Sequence, residues 1–521
     1  MNYQHMKFNI VSRNCVMTNS EIVYLTNDNW NDYFEYRTMY QMYYKNQHIG
    51  GVRIGRIGQT EDRPDIPDEF ETLPTDYFSL GVSLEYYKNL KREGIPRVEI
   101  LIALHDIAYD LKLLETVREE RVTQRSLMRD FSYYAVKEQF HRIADGGAVL
   151  TDYDFKYILP DKDITTGENL ELDFYVEGEN NTPPSNIYVL IGKNGIGKTT
   201  IIKKMLKTLL CNNDLHTYGE FITGWGGNFS NIVNISFSMF DDPITEVDVF
   251  DKMIFYKYIG LIDVRYENDI RKRNVKYDQL PDMFFESYWN VIKSITKNEL
   301  WKRSVKILET DSTFKELDIG SWISQEKSKL EKMILATEKS IEEKNNIEKN
   351  FFRKIINNQF SKLSSGHKII LLTVVNLVNF VEEKTLVIMD EPEEHLHPPL
   401  VSAFIRALSE LMSYRNGVAI IATHSPVIVQ EVPRRCVWKI RGHGKYRKFE
   451  HPEIETFGEN LGEITTEIFG YDVGSTGFHT ILKNVADRKN SYEKALNEFQ
   501  GELGKEAKSI LRAYMYDKEN T

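Results

Sequence analysis

The sequence predicts an α/β protein with a mixed, mainly parallel sheet and flanking helices, accompanied by an α+β N-terminal region and a helical insertion. Three observations predict this class. The apolar segment 187–192 leads through a glycine-rich loop into an apolar helix. Two more apolar segments, 385–392 and 417–426, have strand character and are separated by a helical segment around 399–413. Strands that alternate with helices in this way usually pair in parallel, because the helices return the chain to the same edge of the sheet.

The composition is that of a large protein with ordinary hydrophobic cores. The chain has 521 residues, of which 41% are hydrophobic and 27% are charged, so two or three domains are expected. A net charge of −11 excludes a polycation, and any nucleic-acid contact must use a local basic patch. Three widely spaced cysteines exclude a disulfide framework and suit a reducing cytosol. With no signal-peptide pattern and no long apolar span, the sequence predicts a cytoplasmic protein without membrane contact.

The order of the predicted elements divides the chain into five parts. A hairpin is predicted within 35–58, helical spacing runs across 97–143, and alternation in 150–180 indicates further strands. The five predicted parts are an N-terminal α+β region (1–150), a first lobe with the glycine loop (151–244), a helical insertion (245–355), a second lobe (356–480) and C-terminal helices (481–521).

A phosphate-binding loop is predicted directly after the strand 187–192. Glycines let the backbone curl so that its N–H groups point at phosphate oxygens, and the following helix adds its positive dipole end. We expect Lys198 to contact the β- and γ-phosphates of ATP, and the Thr199 hydroxyl to bind Mg²⁺. A simple glycine turn into a helix is the structural alternative. The motif GxxxxGK[ST] is matched by Gly192, Lys193, Asn194, Gly195, Ile196, Gly197, Lys198 and Thr199, and Thr200 follows it.

Two carboxylates, Asp390 and Glu391, follow the apolar strand TLVIM at the predicted carboxyl edge of the sheet, where ligands bind. We expect Asp390 to hold Mg²⁺, directly or through water, and Glu391 to polarise the water that attacks the γ-phosphate. Alone, the pair is also typical of a solvated turn. The glutamates and histidines of 393–397 are compatible with a metal site, but we assign them to the loop after the strand because two prolines restrict the backbone there.

A histidine ends the next apolar strand, VAIIAT, in the sequence THSP. At the same edge of the sheet, His424 could hydrogen-bond the γ-phosphate or the attacking water. A lone histidine is more often structural. Its position one strand after Asp390 and Glu391 favours the functional interpretation.

Three small residues, Ser364, Ser365 and Gly366, stand in KLSSGHK before the longest apolar run of the chain. A small polar residue before such a run predicts a helix start, and either serine is a suitable N-cap. Capping needs only one such residue. The cluster beside a histidine and a lysine therefore indicates a further role for this helix start.

The order of phosphate loop, LSSGH, LVIMDEP and ATHSP resembles the ABC-type ATPases of the AAA class, in the branch that holds chromosome-maintenance, Rad50-like and OLD-like heads. The resemblance implies an ATPase head that uses Mg²⁺. It also implies that Ser364, Ser365 and Gly366, in the place of the signature LSGGQ, bind the γ-phosphate held by another copy, so that two heads form a homodimer around ATP. The chain departs from the pattern at Ser365 and His367, and NISFSMFDDP carries no glutamine where the class usually senses Mg²⁺ and water.

Three further segments resemble PtuA, the ATPase of the Septu and retron-associated anti-phage defence systems of bacteria. They are DNWNDYFEYRTMYQMYY…IGGVRIG, ISFSMFDDP and TFGENLGEITTEIFGYDVGSTGFHTIL. This resemblance implies control of a separate HNH nuclease of the PtuB kind, with no nuclease activity in the chain itself. It also implies a retron reverse transcriptase and its RNA–DNA product as further partners. A DNA-repair ATPase of the Rad50 or chromosome-maintenance kind and an OLD-like ATPase–nuclease remain as alternatives.

A predicted hairpin near the C-terminal end carries the best candidates for contacts with DNA or another nucleic acid. Strand alternation would place several of its cations on one face, where they can neutralise phosphates. A solvated hairpin is the alternative. The candidate residues are Arg434, Arg435, Arg441, Lys445, Arg447 and Lys448.

Overall fold

The computed structural model places three sheets and their helices in the described part of the chain. None of the helices in that part is long and apolar enough to cross a membrane. The described residues are 6–12, 21–28, 35–147, 150–162, 167, 169–178, 182–210, 215–224, 229–237, 244, 255–261, 279–324, 341–443, 446–470 and 477–519.

An N-terminal unit is built on a mixed six-stranded sheet. Its strands are β1 (Lys7–Val11), β2 (Ile22–Asn27), β3 (Met39–Tyr44), β4 (Gln47–Arg56), β5 (Glu69–Phe70) and β6 (Tyr77–Gly81). Their order is β5-β1-β2-β3-β4-β6. Strands β3 and β4 form the predicted antiparallel hairpin, and its turn residues Lys45 and Asn46 both have positive φ.

Helices of this unit pack on the sheet around a core of their own, which includes Phe78, Tyr87 and Phe140. They are α1 (Leu84–Leu90), α2 (Arg97–Ala103), α3 (Leu111–Val117) and α4 (His141–Ala144), with π-helical turns at Thr123–Leu127 and Ala135–Phe140. The Arg142 guanidinium on α4 lies 2.5 Å from the carboxylate of Glu383 in the central unit. This ion pair ties the two units together.

A small antiparallel sheet of three strands lies beside the phosphate-loop region. It consists of β7 (Tyr153–Lys162), β8 (Asn169–Val176) and β10 (Glu220–Thr223), in the order β10-β7-β8. Stacked rings of Phe155 and Phe174 fill its inner face, with centroids 4.6 Å apart. The alternation in 150–180 therefore does form paired strands.

The central sheet has seven strands, and its pairings are parallel except at the last hairpin. Its strands are β9 (Ile187–Ile191), β11 (Asn231–Ser236), β12 (Phe255–Gly260), β13 (Thr385–Asp390), β14 (Val418–Thr423), β15 (Val437–His443) and β16 (Tyr446–Glu450). Their order is β12-β11-β13-β14-β9-β15-β16. The predicted α/β class, with a mixed and mainly parallel sheet, is confirmed.

Helices cover this sheet and share its hydrophobic core. They are α5 (Lys198–Leu210), α6 (Leu215–Tyr218), α7 (Leu280–Ile292), α8 (Ile295–Leu308), α9 (Ser312–Lys315), α10 (Ser321–Ser324), α11 (Ile341–Ser361), α12 (Ser365–Phe380), α13 (Pro398–Arg415) and α14 (Pro426–Gln430). Phe284 of α7 and Trp301 of α8 are buried in the same core as the strands. These two helices are thus part of the central unit.

Residues 245–355, predicted as a helical insertion, also contain a strand. The segment FYKYIG forms β12, which pairs in parallel with β11 and extends the central sheet by one strand. This six-residue segment is as long as β11, β13 and β14, and it joins the sheet through its pairing with β11. The helical description of 245–355 is therefore incomplete.

The C-terminal part continues from the hairpin β15–β16 into helix α15 (Leu461–Phe469). Three more helices then form a small unit with its own buried core of Leu482, Val485, Leu511 and Met515. They are α16 (Phe478–Arg488), α17 (Tyr492–Glu498) and α18 (Lys505–Glu519). This unit begins slightly before residue 481, where the sequence predicts its start.

Candidate functional site

The predicted phosphate loop joins the end of β9 to the start of α5. Gly195 and Gly197 have φ of +78° and +97°, which side chains disfavour and glycine adopts freely. Lys198 is only 5% exposed, and its Nζ donates hydrogen bonds to the carbonyl oxygens of Gly192 at 3.0 Å and Lys193 at 3.3 Å. Thr199 and Thr200 are exposed at the start of the helix. The loop thus has the form that phosphate binding requires.

Gly192, the first glycine of the loop, has no room for a side chain because β15 lies against it. A Cβ on Gly192 would lie 2.6 Å from the carbonyl oxygen of Ile440 on β15. The hairpin β15–β16 therefore packs directly against the phosphate loop, because β15 pairs in parallel with β9.

Strand register brings the predicted acidic pair to the same edge of the sheet as the loop. Asp390 at the end of β13 pairs with Ala422, and Thr423 at the end of β14 pairs with Ile191 at the end of β9. Burial lowers the pKa of Lys198, and the carboxylates of Glu391, Asp390 and Glu393 act in the opposite direction. The lysine and the acids therefore face one another across the strand ends.

Glu391 and His424 meet at this edge. The imidazole Nδ1 of His424 lies 3.3 Å from Oε1 of Glu391 and 3.5 Å from Oε1 of Glu393. Glu391 has a left-handed backbone with φ of +46°, and its N–H donates to the carbonyl of Ala422 at 2.8 Å. This bond joins the turn after β13 to the neighbouring strand. His424 is 46% exposed and Glu391 is 28% exposed, so a ligand has access to both.

Glu393, which the sequence analysis assigned to the loop after β13, also contacts this edge of the sheet. Its Oε1 accepts hydrogen bonds from the Thr423 hydroxyl and, at 3.2 Å, from the backbone N–H of His424. Burial raises the pKa of this carboxyl. Glu393 thus holds the strand end that carries His424. The only sequence signal is its place in DEPEE, two residues after Glu391.

The segment KLSSGHK begins α12, as predicted. Ser364 is the N-cap, and its hydroxyl accepts a hydrogen bond from the N–H of His367 at 3.3 Å. Both serines are exposed, while Gly366 is buried. A Cβ on Gly366 would lie 2.5 Å from the carbonyl oxygen of His395, so only glycine allows this approach. The helix start is therefore fixed against the loop that follows β13.

The histidines of that loop do not gather into a metal site. His397 Nε2 lies 2.9 Å from Oδ2 of Asp311, near the N-terminus of α9. Burial acts to raise the pKa of Asp311, but hydrogen bonds from Thr313, Phe314 N–H and His397 lower it overall. No group of three or more His, Cys, Asp or Glu residues that could hold a metal ion occurs in the described ranges. Residues 393–397 form a turn and loop between β13 and α13, as predicted.

Each described basic residue proposed for nucleic-acid contact has an acidic or backbone partner within 3.3 Å, with one exception, whose ion-pair distance to Asp161 is 3.9 Å. Arg434 bonds the Glu453 carbonyl, Arg435 pairs with Glu177, and both Arg441 and Lys448 pair with Glu450. Lys445 lies outside the described residues. The exception is Arg447, whose guanidinium lies against the phosphate loop: a Cβ on Gly197 would be 2.7 Å from its Nη2.

A relative with similarity along the whole chain decides the family. The chain is 35% identical over 514 residues to "Protein ea59" of Escherichia phage lambda, and the similarity covers 95% of each protein. The chain belongs to the ea59 family. In this ea59 family member, residues 357–430 also match a family described as "AAA domain, putative AbiEii toxin, Type IV TA system". The match spans α12, β13 and β14, which carry KLSSGHK, Asp390, Glu391 and His424.

Solved structures with partial similarity to this chain include a transporter and a head domain. One is "An inward-facing conformation of a putative metal-chelate type ABC transporter", 13% identical with a TM-score of 0.28, covering 61% of this chain and 89% of that one. Another is the "SMC head domain from Thermotoga maritima", 13% identical with a TM-score of 0.28, covering 58% of this chain and 99% of that one. The fold assignment rests on this chain's own mainly parallel sheet, in which β9, the strand before the glycine loop, lies between β14 and β15.

Proposed function

We propose that this chain binds and hydrolyses ATP with Mg²⁺, and that two copies close head to tail around two ATP molecules. One observation carries the proposal: Lys198, Glu391 and His424 come together at the carboxyl edge of the central sheet. Such an edge, beside a glycine loop that opens a helix, is the ligand site of open α/β sheets. The match to an AAA domain supports the same chemistry.

In the proposed reaction, the oxygen of a water bonds to the γ-phosphorus and the water gives a proton to the Glu391 carboxylate. The bond between the γ-phosphorus and the bridging oxygen breaks, and ADP and inorganic phosphate leave. His424, 3.3 Å from Glu391, orients the water or the γ-phosphate. Lys198 gives up its bonds to the loop carbonyls and binds the β- and γ-phosphates.

Asp390 and Thr199 are the proposed Mg²⁺ ligands. Both offer oxygen donors, which Mg²⁺ prefers, and the Asp390 carboxylate acts to raise the pKa of Lys198, whose ammonium lies at the phosphate loop. Thr199 presents an exposed hydroxyl in the first turn of α5. When bound, Mg²⁺ neutralises charge on the β- and γ-phosphate oxygens.

The exposed helix start at Ser364 and Ser365 supports the dimer. Its hydroxyls and its positive dipole end can bind an anion. Gly366 fixes it against His395, and Ser364 caps its own helix, so neither contact uses the phosphate loop of the same chain. The proposed ligand of this helix start is the γ-phosphate held by a second copy.

Light scattering during size-exclusion chromatography tests the proposal. We expect a shift from monomer to dimer on adding a non-hydrolysable ATP analogue with Mg²⁺, and no shift in Lys198→Ala. Phosphate release from ATP by the unmodified chain is the second readout. If neither analogue-dependent dimers nor phosphate release is found, the proposal fails.

As a finer role, we propose that head closure controls a separate HNH nuclease of the PtuB kind in an anti-phage defence complex, with a retron reverse transcriptase and its RNA–DNA product as further partners. The support is the resemblance of three segments. Part of the first forms the hairpin β3–β4, and part of the last forms α15. This finer role depends on the proposed ATP-dependent closure of the two heads.

Purification distinguishes this finer role from its alternatives. The chain alone is expected to leave DNA intact, and a nuclease from a neighbouring reading frame is expected to co-purify with it. Metal-dependent DNA cutting by the chain alone would favour the OLD-like alternative. Tight, salt-dependent DNA binding without a partner would favour the DNA-repair ATPase.

A further inference from the structure

Arg447 occupies an unusual position for a hairpin cation. It lies on β16 opposite Gly442, and its guanidinium is directed at Gly197 of the phosphate loop. Because side chains alternate along a strand, its neighbour Lys448 is on the other face of the hairpin, where it is 69% exposed. The two adjacent cations therefore have different surroundings.

The Arg447 guanidinium is largely buried but poorly partnered. Its side chain is only 17% exposed, and its nearest carboxylate oxygen, Oδ2 of Asp161, lies 3.9 Å away. Its Nε is buried and has no hydrogen-bond partner in the described part of the chain. A guanidinium has five N–H donors, and a buried cation normally satisfies them. The unused donors are therefore available to a ligand at the loop.

The charges around Arg447 favour an anion. Asp161 has two cationic partners, because Nζ of Lys204 on α5 also lies 3.1 Å from its Oδ2. Two cations thus stand beside one half-exposed carboxylate, and one of them, Arg447, also lies against Gly197 of the phosphate loop. The excess positive charge lies where the loop would hold phosphates.

We propose that Arg447 is a nucleotide-binding residue that contacts the α- or β-phosphate of ATP, with Asp161 holding it beside the loop until nucleotide arrives. The inference rests on the proposed ATP site and adds a ligand from outside the recognised motifs. Gly197 belongs to the part of the loop that surrounds the α- and β-phosphates. The contact is therefore shared by ATP and ADP, unlike contacts of Glu391 or Ser364 near the γ-phosphate.

Affinities for fluorescent N-methylanthraniloyl ATP and ADP test the inference. In Arg447→Gln we expect both affinities to fall by about tenfold, the size of one charge-assisted hydrogen bond. The matched control, Lys448→Gln, should bind both nucleotides as the unmodified chain does.

A second variant covers the case in which Arg447→Gln does not fold. Asp161 is 52% exposed, so Asp161→Asn is expected to fold, and it should tighten binding of both nucleotides by releasing Arg447. That gain in nucleotide affinity should be absent when Asp161→Asn is combined with Arg447→Lys, because lysine keeps the positive charge but lacks the planar guanidinium.

The outcomes separate cleanly. Unchanged ATP and ADP affinities in folded Arg447→Gln would overturn the inference, and so would a loss confined to ATP. Unchanged or weaker binding in Asp161→Asn would also count against it. Failure of the unmodified chain to bind either nucleotide, with Lys198→Ala behaving identically, would instead refute the proposed function on which the inference rests.

Discussion

The imidazole Nδ1 of His424 lies 3.3 Å from Oε1 of Glu391, although the two residues end different strands. Parallel pairing of β13 with β14 brings them together, since it places both strand ends at one edge. The bond from the Glu391 N–H to the Ala422 carbonyl fixes their separation. This contact joins Glu391, the proposed general base, to His424, which is proposed to orient the attacking water or the γ-phosphate.

Glu391→Gln should lower the rate of ATP hydrolysis by at least about 100-fold, because the amide cannot accept the proton of the attacking water. Nucleotide affinity should be unchanged, since Lys198 and the loop remain. Steady-state phosphate release and equilibrium nucleotide binding measure the two quantities. Unchanged turnover would remove Glu391 from its proposed role.

Glu393→Ala should lower turnover by about tenfold or more, because a displaced His424 no longer meets its target. The variant removes the acceptor for the Thr423 hydroxyl and the His424 N–H. Glu393→Gln keeps an acceptor oxygen and should retain more activity. Glu394→Ala is the matched control, and a loss as large in this variant would argue against a specific effect.

Gly366→Ala should destabilise the fold by about 1–3 kcal/mol and abolish hydrolysis, because its Cβ would lie 2.5 Å from the His395 carbonyl oxygen. The matched control is Gly320→Ala, where an added Cβ would meet nothing within 4 Å. Denaturant unfolding gives the free energies. Equal stability of the two variants would contradict the close packing described for the helix start.

Asp106→Asn should change how stability depends on pH. Burial raises the pKa of Asp106 to about 7, and the Tyr87 hydroxyl donates to the carboxyl at 3.0 Å. In the unfolded chain this carboxyl has a pKa of about 3.9. Between these values the unfolded state loses its proton while the folded state keeps it, so stability falls as pH rises from 4 to 7.

Unfolding midpoints of the two proteins between pH 5 and pH 8 measure this effect. The unmodified chain should lose more stability than Asp106→Asn over that range, and above pH 7 the difference should level off. Parallel pH profiles for the two proteins would show that Asp106 does not titrate in this way.

Short local patterns made much of the site predictable. The glycine loop, the apolar strands that end in Asp390 and His424, and the cap at Ser364 each depend on residues close in sequence. Parallel strands align their carboxyl ends, so their convergence also followed from the α/β class. These elements were placed without knowledge of any distant contact.

Features that depend on distant contacts could not be predicted. The strand β12 lies within a largely charged stretch of sequence that was predicted to be helical, and its pairing with β11 makes it part of the sheet. Alternation in the hairpin β15–β16 indicated which cations share a face, but the pairing of β15 with β9 determines that Arg447 meets the phosphate loop. The contact of Glu393 also could not be predicted, because its carboxylate accepts a hydrogen bond from the N–H of His424 at the end of the neighbouring strand.

We propose that two copies of the chain share each active site, and a substitution at Ser365 tests this selectively. Ser365 is exposed and is the first residue of α12, with Ser364 as the cap. An acidic residue at this position favours the helix dipole, so Ser365→Glu should fold normally. Its charge should repel a γ-phosphate presented by another copy.

The most direct measurement is the ATPase activity of mixed dimers of Lys198→Ala and Ser365→Glu, each inactive alone. In such a dimer one composite site carries both substitutions and the other carries neither. We expect ATP hydrolysis to return on mixing, to at most the activity of about one intact site per mixed dimer. Mixed dimers that are demonstrably formed yet show no recovery of hydrolysis would contradict it.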